Sequence, residues 1–287
     1  MLLAVKNPAW LLAFLMIPCV AAGQSPSPGR VGVCVDADRF EAAKAAGFDY
    51  LEVNASRVAA LTDAEFQQLE QRVAGLGIPV AAANVFLPGS IKLTGPDVDP
   101  ARQMAYVTAA MARLKRLGVK IQVLGSGGAR RVPDGFSHEE AFKQLVDFCR
   151  RLAPVAREHG ITIAFEPLRR QETNIVNTVR EGLALVKAVD RPEIKLVVDF
   201  YHLAEERESP DILLEAGALV AHTHIANPAG RVYPLIASEA DYGPYFRNLC
   251  KIGYSGRMSV EASTKDFASD APQSVALIRQ ALACASR

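Results

Sequence analysis

Four residues in the second half of this chain sit where chemistry is done. Ile161-Thr162-Ile163-Ala164-Phe165 is a short apolar run that closes on Glu166, and Pro167 stops it. Leu196-Val197-Val198 closes on Asp199, Leu219 to Thr223 closes on His224, and Met258-Ser259-Val260 closes on Glu261. A carboxylate at the end of a buried strand is costly unless something there wants negative charge. Three carboxylates brought together repel one another, and a divalent cation relieves that repulsion. An oxygen-rich set with one imidazole suits Mn²⁺, Mg²⁺ or Co²⁺ better than a thiolate-preferring zinc site.

Each residue also has an ordinary reading. A lone Glu at a strand end is usually solvated or caps the next helix. Asp199 before Phe200-Tyr201-His202 could start a turn, and His222 and His224, on one side of their strand, could be satisfied core histidines. The ordinary reading loses force when four such residues fall at four successive strand ends.

The elements that must position them alternate along the chain. Strand-like runs are expected at residues 31–35, 49–53, 79–84, 120–124, 161–165, 196–199, 219–224 and 257–261. Helix starts are marked by Thr62-Asp63-Ala64-Glu65, Asp99-Pro100, Ser137-His138-Glu139-Glu140, Thr178-Val179-Arg180-Glu181 and Ser209-Pro210. A first helix follows Phe40, and two late helices are expected over 238–252 and 272–283. Eight strands, each followed by a helix, is the count of an α/β chain folded as a single (β/α)8 TIM barrel. An open doubly wound sheet would carry its glycine-rich loop after the first strand, and Val31 to Asp38 has none. In a barrel the C-terminal strand ends share one mouth, so Glu166, Asp199, His224 and Glu261 converge. Glu52 and Asn84 are candidates for the far side of that mouth, or for loop caps. Gly125-Ser126-Gly127-Gly128 is weak evidence for phosphate, and the segments after strands seven and eight are not glycine-rich.

These segments resemble the xylose isomerase-like barrel superfamily, and within it the sugar isomerase/epimerase group that includes D-tagatose 3-epimerase. The resemblance rests on Ala164-Phe165-Glu166-Pro167-Leu168, Val198-Asp199-Phe200-Tyr201-His202, His222-Thr223-His224-Ile225 and Val260-Glu261, with weaker matches at Gly47 to Glu52 and Gly125-Ser126-Gly127. It implies that Glu166, Asp199, His224 and Glu261 hold one divalent metal, Mn²⁺ ahead of Mg²⁺ or Co²⁺. It implies that Glu166 and Glu261 also act on the substrate carbon, that His202 and Arg231 contact substrate oxygens, and that Glu172 supports Glu166. The expected activity is isomerisation or epimerisation of a non-phosphorylated keto sugar or sugar derivative, through proton abstraction next to a carbonyl and an enediolate. Alternatives are a dehydratase or lyase on a keto sugar or 3-keto-glycoside, a non-catalytic sugar-binding barrel, and a multi-zinc phosphodiesterase like the abasic-site endonucleases. Five histidines and no basic face argue against the last.

The N-terminus reads separately. Lys6, the apolar run Ala9 to Val20 and the small residues Val20-Ala21-Ala22 have the order of a secretory signal peptide over residues 1–23. The run is short for a membrane span, which needs about 20 apolar residues, though a retained anchor is the alternative. Residues 24–30 form a flexible lead-in, and residues 31–287 form the barrel. The expected location is secreted or periplasmic, with no stable membrane insertion after cleavage. Lys and Arg number 32 against 31 Asp and Glu, with no basic block for nucleic acid; the resemblance implies a small carbohydrate as the partner, with a homo-oligomer left open. Half the residues are hydrophobic, enough for a sizeable core. Beyond the leader, Cys34, Cys149, Cys250 and Cys284 lack the spacing of a disulfide framework and read as buried thiols.

Overall fold

The computed structural model describes residues 29–285, so the expected signal peptide and nearly all of the lead-in lie outside the described residues. Eight parallel strands close on themselves in sequence order: β1 (Arg30–Cys34), β2 (Tyr50–Asn54), β3 (Val80–Asn84), β4 (Ile121–Leu124), β5 (Thr162–Phe165), β6 (Ile194–Asp199), β7 (Val220–Ile225) and β8 (Arg257–Val260). The strands are Val-, Ile- and Ala-rich and almost wholly buried, as expected where helices cover a parallel sheet.

Around them run α1 (Phe40–Ala45), α2 (Ala55–Ala60), α3 (Asp63–Leu76), α4 (Pro100–Leu117), α5 (Gly127–Arg130), α6 (His138–His159), α7 (Val179–Val189), α8 (Phe200–Glu205), α9 (Ile212–Ala216), α10 (Gly243–Lys251) and α11 (Phe267–Ala285). Local chemistry explains most starts. Thr62 and Thr178 form reciprocal capping boxes with Glu65 and Glu181, and Asp99 caps α4 with Pro100 in its first turn. Ser137 caps α6 by accepting from the Glu140 amide, a single cap without the reciprocal bond of a capping box.

Several expectations are corrected. Ser209-Pro210 starts only the five-residue α9, with Asp211 at its N-cap position. The helix expected over 238–252 is confined to Gly243–Lys251, where Pro244 sits in the first turn and its lack of an N–H costs no intrahelical bond. α11 begins at Phe267, five residues before Pro272. The short α2, α5 and α8 have too few residues for an apolar period and were not anticipated.

The main core lies between the strands and the helical layer. A second cluster fills the barrel itself with Tyr50, Ala82, Ile121, Val123, Ala164 and Val197. Tyr50 crosses this interior to reach Ser259 Oγ at 2.7 Å. A Cβ on Gly32 would lie 2.2 Å from the Tyr50 ring, so glycine is required there. Cys34, Cys149 and Cys250 are free thiols, of which only Cys149 is fully buried; the side chain of Cys284 lies outside the described residues.

Candidate active site

The barrel brings the four strand-end residues together. One ligand atom each from Glu166, Asp199, His224 and Glu261 lies within 4.8 Å of the others. The β6–β7 register sets Asp199 opposite His224, and β7–β8 sets His224 opposite Ser259, two residues short of Glu261. His224 Nδ1 is the centre: it lies 2.9 Å from Glu166 Oε1 and 3.2 Å from Glu261 Oε2. Asp199 divides its carboxylate. Oδ1 accepts from the Tyr201 amide and caps α8, as the turn reading anticipated, while Oδ2 faces the cluster.

Arg231 closes the group from the loop after β7. Its Nη2 donates to Glu261 Oε2 at 2.6 Å and lies 3.7 Å from Asp199 Oδ2; its Nη1 donates to Glu172 at 3.1 Å. Its backbone is left-handed, with φ 52°, an unfavourable conformation for a side chain of this kind. Pairing of Asn227 with Val232 and of Val232 with Ser263 holds it there. Glu172 touches Arg231 and Arg169, and reaches the cluster through Arg231 rather than through Glu166. The guanidiniums of Arg231 and Arg169 both stack on the Tyr201 ring, at 4.7 and 5.0 Å.

His202, on α8, accepts from the Arg169 amide at Nδ1. Burial, then the neighbouring Arg231, push its pKa down to about 3, so the ring is neutral and Nε2 carries its proton. That Nε2 lies 3.5 Å from Asp199 Oδ2, and both atoms are buried without a hydrogen-bond partner among the described residues. Burial also raises Asp199 to about 7 and raises Glu166, which shares the cavity with the charge of Glu261. Burial pushes Glu261 the same way, but His224 and Arg231 outweigh it and hold this carboxyl well below the usual range. His224 is raised, because the carboxylates of Glu52, Glu261 and Glu166 outweigh its own burial.

The residues fit a divalent cation. Asp199 Oδ2 is a buried, unpartnered carboxylate oxygen aimed at the cluster, and three carboxylates with one imidazole form a hard, oxygen-rich donor set. Arg231 and His224 are positive groups that touch these carboxylates.

Several neighbours were missed or misread from sequence. Asn84 does reach the mouth, where its Nδ2 donates to Glu261 Oε1 at 2.8 Å. Glu52 lines the cavity beside the cluster but is itself fully buried and bonded to His224. Alternation along β2 points Tyr50, Glu52 and Asn54 to one side, which was the available signal. The Gly125 loop serves the cluster directly: a Cβ on Gly125 would lie 2.6 Å from Glu166 Oε2. Arg130, at the end of α5, is wholly buried over the Phe165 ring at 4.7 Å, a placement no sequence pattern announced. A cavity of about 180 Å³ adjoins the cluster, lined by Cys34, Asp36, Glu52, Asn54, Arg57 and Asn84.

A closed (β/α)8 barrel with buried carboxylates and an imidazole converging at its C-terminal mouth defines a barrel enzyme with a cation-competent centre. The xylose isomerase-like TIM barrel family model matches residues 40–285. An L-ribulose 3-epimerase of Methylomonas sp. (strain DH-1) is 30% identical over 228 residues, covering 77% of this chain and 76% of its own. A 3-dehydro-D-guloside 4-epimerase of Escherichia coli (strain K12) is 23% identical over 230 residues, covering 78% and 86%. The crystal structure of a D-allulose 3-epimerase from Methylomonas sp. superposes with a TM-score of 0.77 at 24% identity, covering 89% of this chain and 99% of that one, which shows the shared fold. The chain belongs to the xylose isomerase-like TIM barrel family, and is an enzyme of its sugar isomerase and epimerase group.

Proposed function

We propose that this enzyme is a divalent-metal-dependent epimerase of a non-phosphorylated keto sugar or keto-sugar derivative. The observation that carries the reading is the pair of carboxylates, Glu166 from β5 and Glu261 from β8, that flank His224 Nδ1 from strands three apart in the barrel. Glu166, Asp199, His224 and Glu261 would hold the ion, with Mn²⁺ preferred and Mg²⁺ or Co²⁺ acceptable to the same donors. When bound, the ion supplies Lewis-acid polarisation of the substrate carbonyl and lowers the cost of negative charge on its oxygens.

The chain's own residues do the rest. One glutamate takes the proton from the carbon next to the carbonyl, and the other returns a proton from the opposite face, inverting that carbon. The enediolate between the two steps carries its charge beside Arg231 and the His202 Nε2 donor. Asn84 and Arg231 hold Glu261, Gly125 leaves room for Glu166, and Glu172 and Tyr201 hold Arg231.

Free, non-phosphorylated substrates are supported by the charge accounting at the mouth. Arg231 and Arg169 are each paired with two carboxylates, so neither of these guanidiniums is free for a phosphate. Relatives named for a ketose and for a 3-dehydro-glycoside frame the substrate classes to compare. The test is turnover of a panel of ketoses and 3-keto-glycosides with added Mn²⁺ in D₂O. Epimerisation incorporates one solvent deuterium at the inverted carbon. Unsaturated or cleaved products would assign a lyase instead, and binding without exchange would assign a sugar-binding barrel. The proposed site of action is outside the cytoplasm, supported by the signal-peptide pattern of residues 1–23. No helix among the described residues is long and apolar enough to cross a membrane.

A further inference from the structure

The barrel interior beneath the cluster is polar in a way that core packing does not require. Glu52 is fully buried, and every partner it has is also buried. Its Oε1 accepts from His224 Nε2 at 3.0 Å. Its Oε2 accepts from His222 Nε2 at 2.8 Å and from Ser259 Oγ at 2.6 Å. Tyr50 OH lies 2.7 Å from the same Ser259 Oγ, having crossed the barrel over Gly32. A buried carboxylate left without partners would be prohibitive, so this four-residue arrangement is a device for keeping one there.

We propose that Glu52 is a positioning residue that fixes the Nε2–H tautomer of His224 and so turns the Nδ1 lone pair into the Glu166–Asp199–Glu261 cluster. The inference rests on the reading of that cluster as a cation site. An ionised carboxylate only accepts hydrogen bonds, so each histidine nitrogen that faces Glu52 must carry a hydrogen. A ligating imidazole must be neutral, and with hydrogen on Nε2 its lone pair is on Nδ1, the nitrogen that lies 2.9 Å from Glu166 and 3.2 Å from Glu261. The other tautomer would put a hydrogen where the ion must sit. The carboxylates of the cluster invite that tautomer, since Glu166 Oε1 is as close to Nδ1 as Glu52 Oε1 is to Nε2. Glu52 opposes them from the other end of the ring. His222, Ser259 and Tyr50 keep its carboxylate in plane for the task. Outer partners of a ligating histidine act in this way on ring orientation and ligand basicity.

Glu52→Gln keeps the shape but offers one acceptor and one donor in place of two acceptors. The two histidines can no longer both donate to it. Mn²⁺ affinity, measured by competition with a chelator on purified full-length protein, should weaken by roughly 10- to 100-fold. The melting temperature of the ion-free protein should stay close to wild type. Asp199→Ala is measured in parallel. If Asp199→Ala weakens binding while Glu52→Gln binds Mn²⁺ as wild type does, the role of Glu52 is refuted and the cation site stands. If Asp199→Ala binds undiminished, the cation site itself is misplaced and this inference falls with it. Long-range ¹H–¹⁵N spectra of the Mg²⁺-loaded wild type decide the matter independently of whether the variant folds. Nε2-protonated His224 is expected, and a hydrogen on Nδ1 would overturn the proposal.

Discussion

Gly125→Ala separates the position of a carboxylate from the stability of the fold. Gly125 follows β4 and has no left-handed φ, so alanine suits its backbone. The added Cβ would lie 2.6 Å from Glu166 Oε2, about 0.8 Å short of an ordinary 3.4 Å contact, and 3.5 Å from Leu168 Cδ2. The atom in the way is the end of a side chain, so the carboxylate yields and the barrel does not. Glu166 then leaves His224 Nδ1, from which Oε1 now stands 2.9 Å. Losing that bond to the charged His224 costs about 1.5–3 kcal/mol, and Gly→Ala recovers about 0.4–1 kcal/mol by restricting the unfolded chain, so net stability should fall by about 0.5–2.6 kcal/mol. Catalysis is less tolerant, since a displacement near 1 Å of a reacting group can cost about 100-fold. The assay is kcat/KM on the best ketose of the panel, beside denaturant unfolding of the same preparation. A folded Gly125→Ala protein that turns over at the wild-type rate would refute the placement of Glu166 in the reaction. Loss of the fold would show that the clash is with the barrel rather than with the carboxylate.

Glu166→Gln and Glu261→Gln each remove a proton acceptor while keeping an oxygen ligand, and each should lower kcat by at least about 100-fold in steady-state assays. Dialysis against a chelator should remove about one ion per chain by elemental analysis, with turnover restored by Mn²⁺, and Asp199→Ala should lose that ion. In ion-free protein Asp199 is raised from the ordinary 3.8 to about 7, so the folded state keeps a proton that the unfolded chain releases, and this group's stabilising contribution is lost as pH rises from about 4 to about 7. Asp199→Asn has no such term, so its stability relative to wild type in EDTA should increase as pH rises through that window; a constant difference between the two proteins would contradict the burial argument. Exported protein should have a mature N-terminus near Gly23 by mass spectrometry, and intact Met1 in soluble cytoplasmic protein would remove the signal peptide.

What the sequence by itself determined is the order of the elements and the chemistry at the strand ends. Strand positions and the caps at Thr62, Asp99 and Thr178 are local matters, set by apolar runs, by β-branched residues and by side-chain oxygens three residues from an amide. Those local signals also placed Glu166, Asp199, His224 and Glu261 at one mouth, because a closed parallel barrel has only one C-terminal end. The tertiary structure alone decided which of their atoms meet and what stands behind them. Closing the barrel carries Glu52 from β2 beneath His224 from β7, a contact 172 residues apart of which strand alternation gives only the facing of Glu52 and not the partner. Asn84 reaches Glu261 across the mouth in the same way, from 177 residues away. Gly125 is likewise unremarkable in its own loop and becomes necessary only because a carboxylate from the next strand occupies the space its side chain would fill. Sequence spacing reports what a residue can do within a turn or a strand. Which side chains share a buried space depends on how the elements pack, and that depends on the whole chain at once.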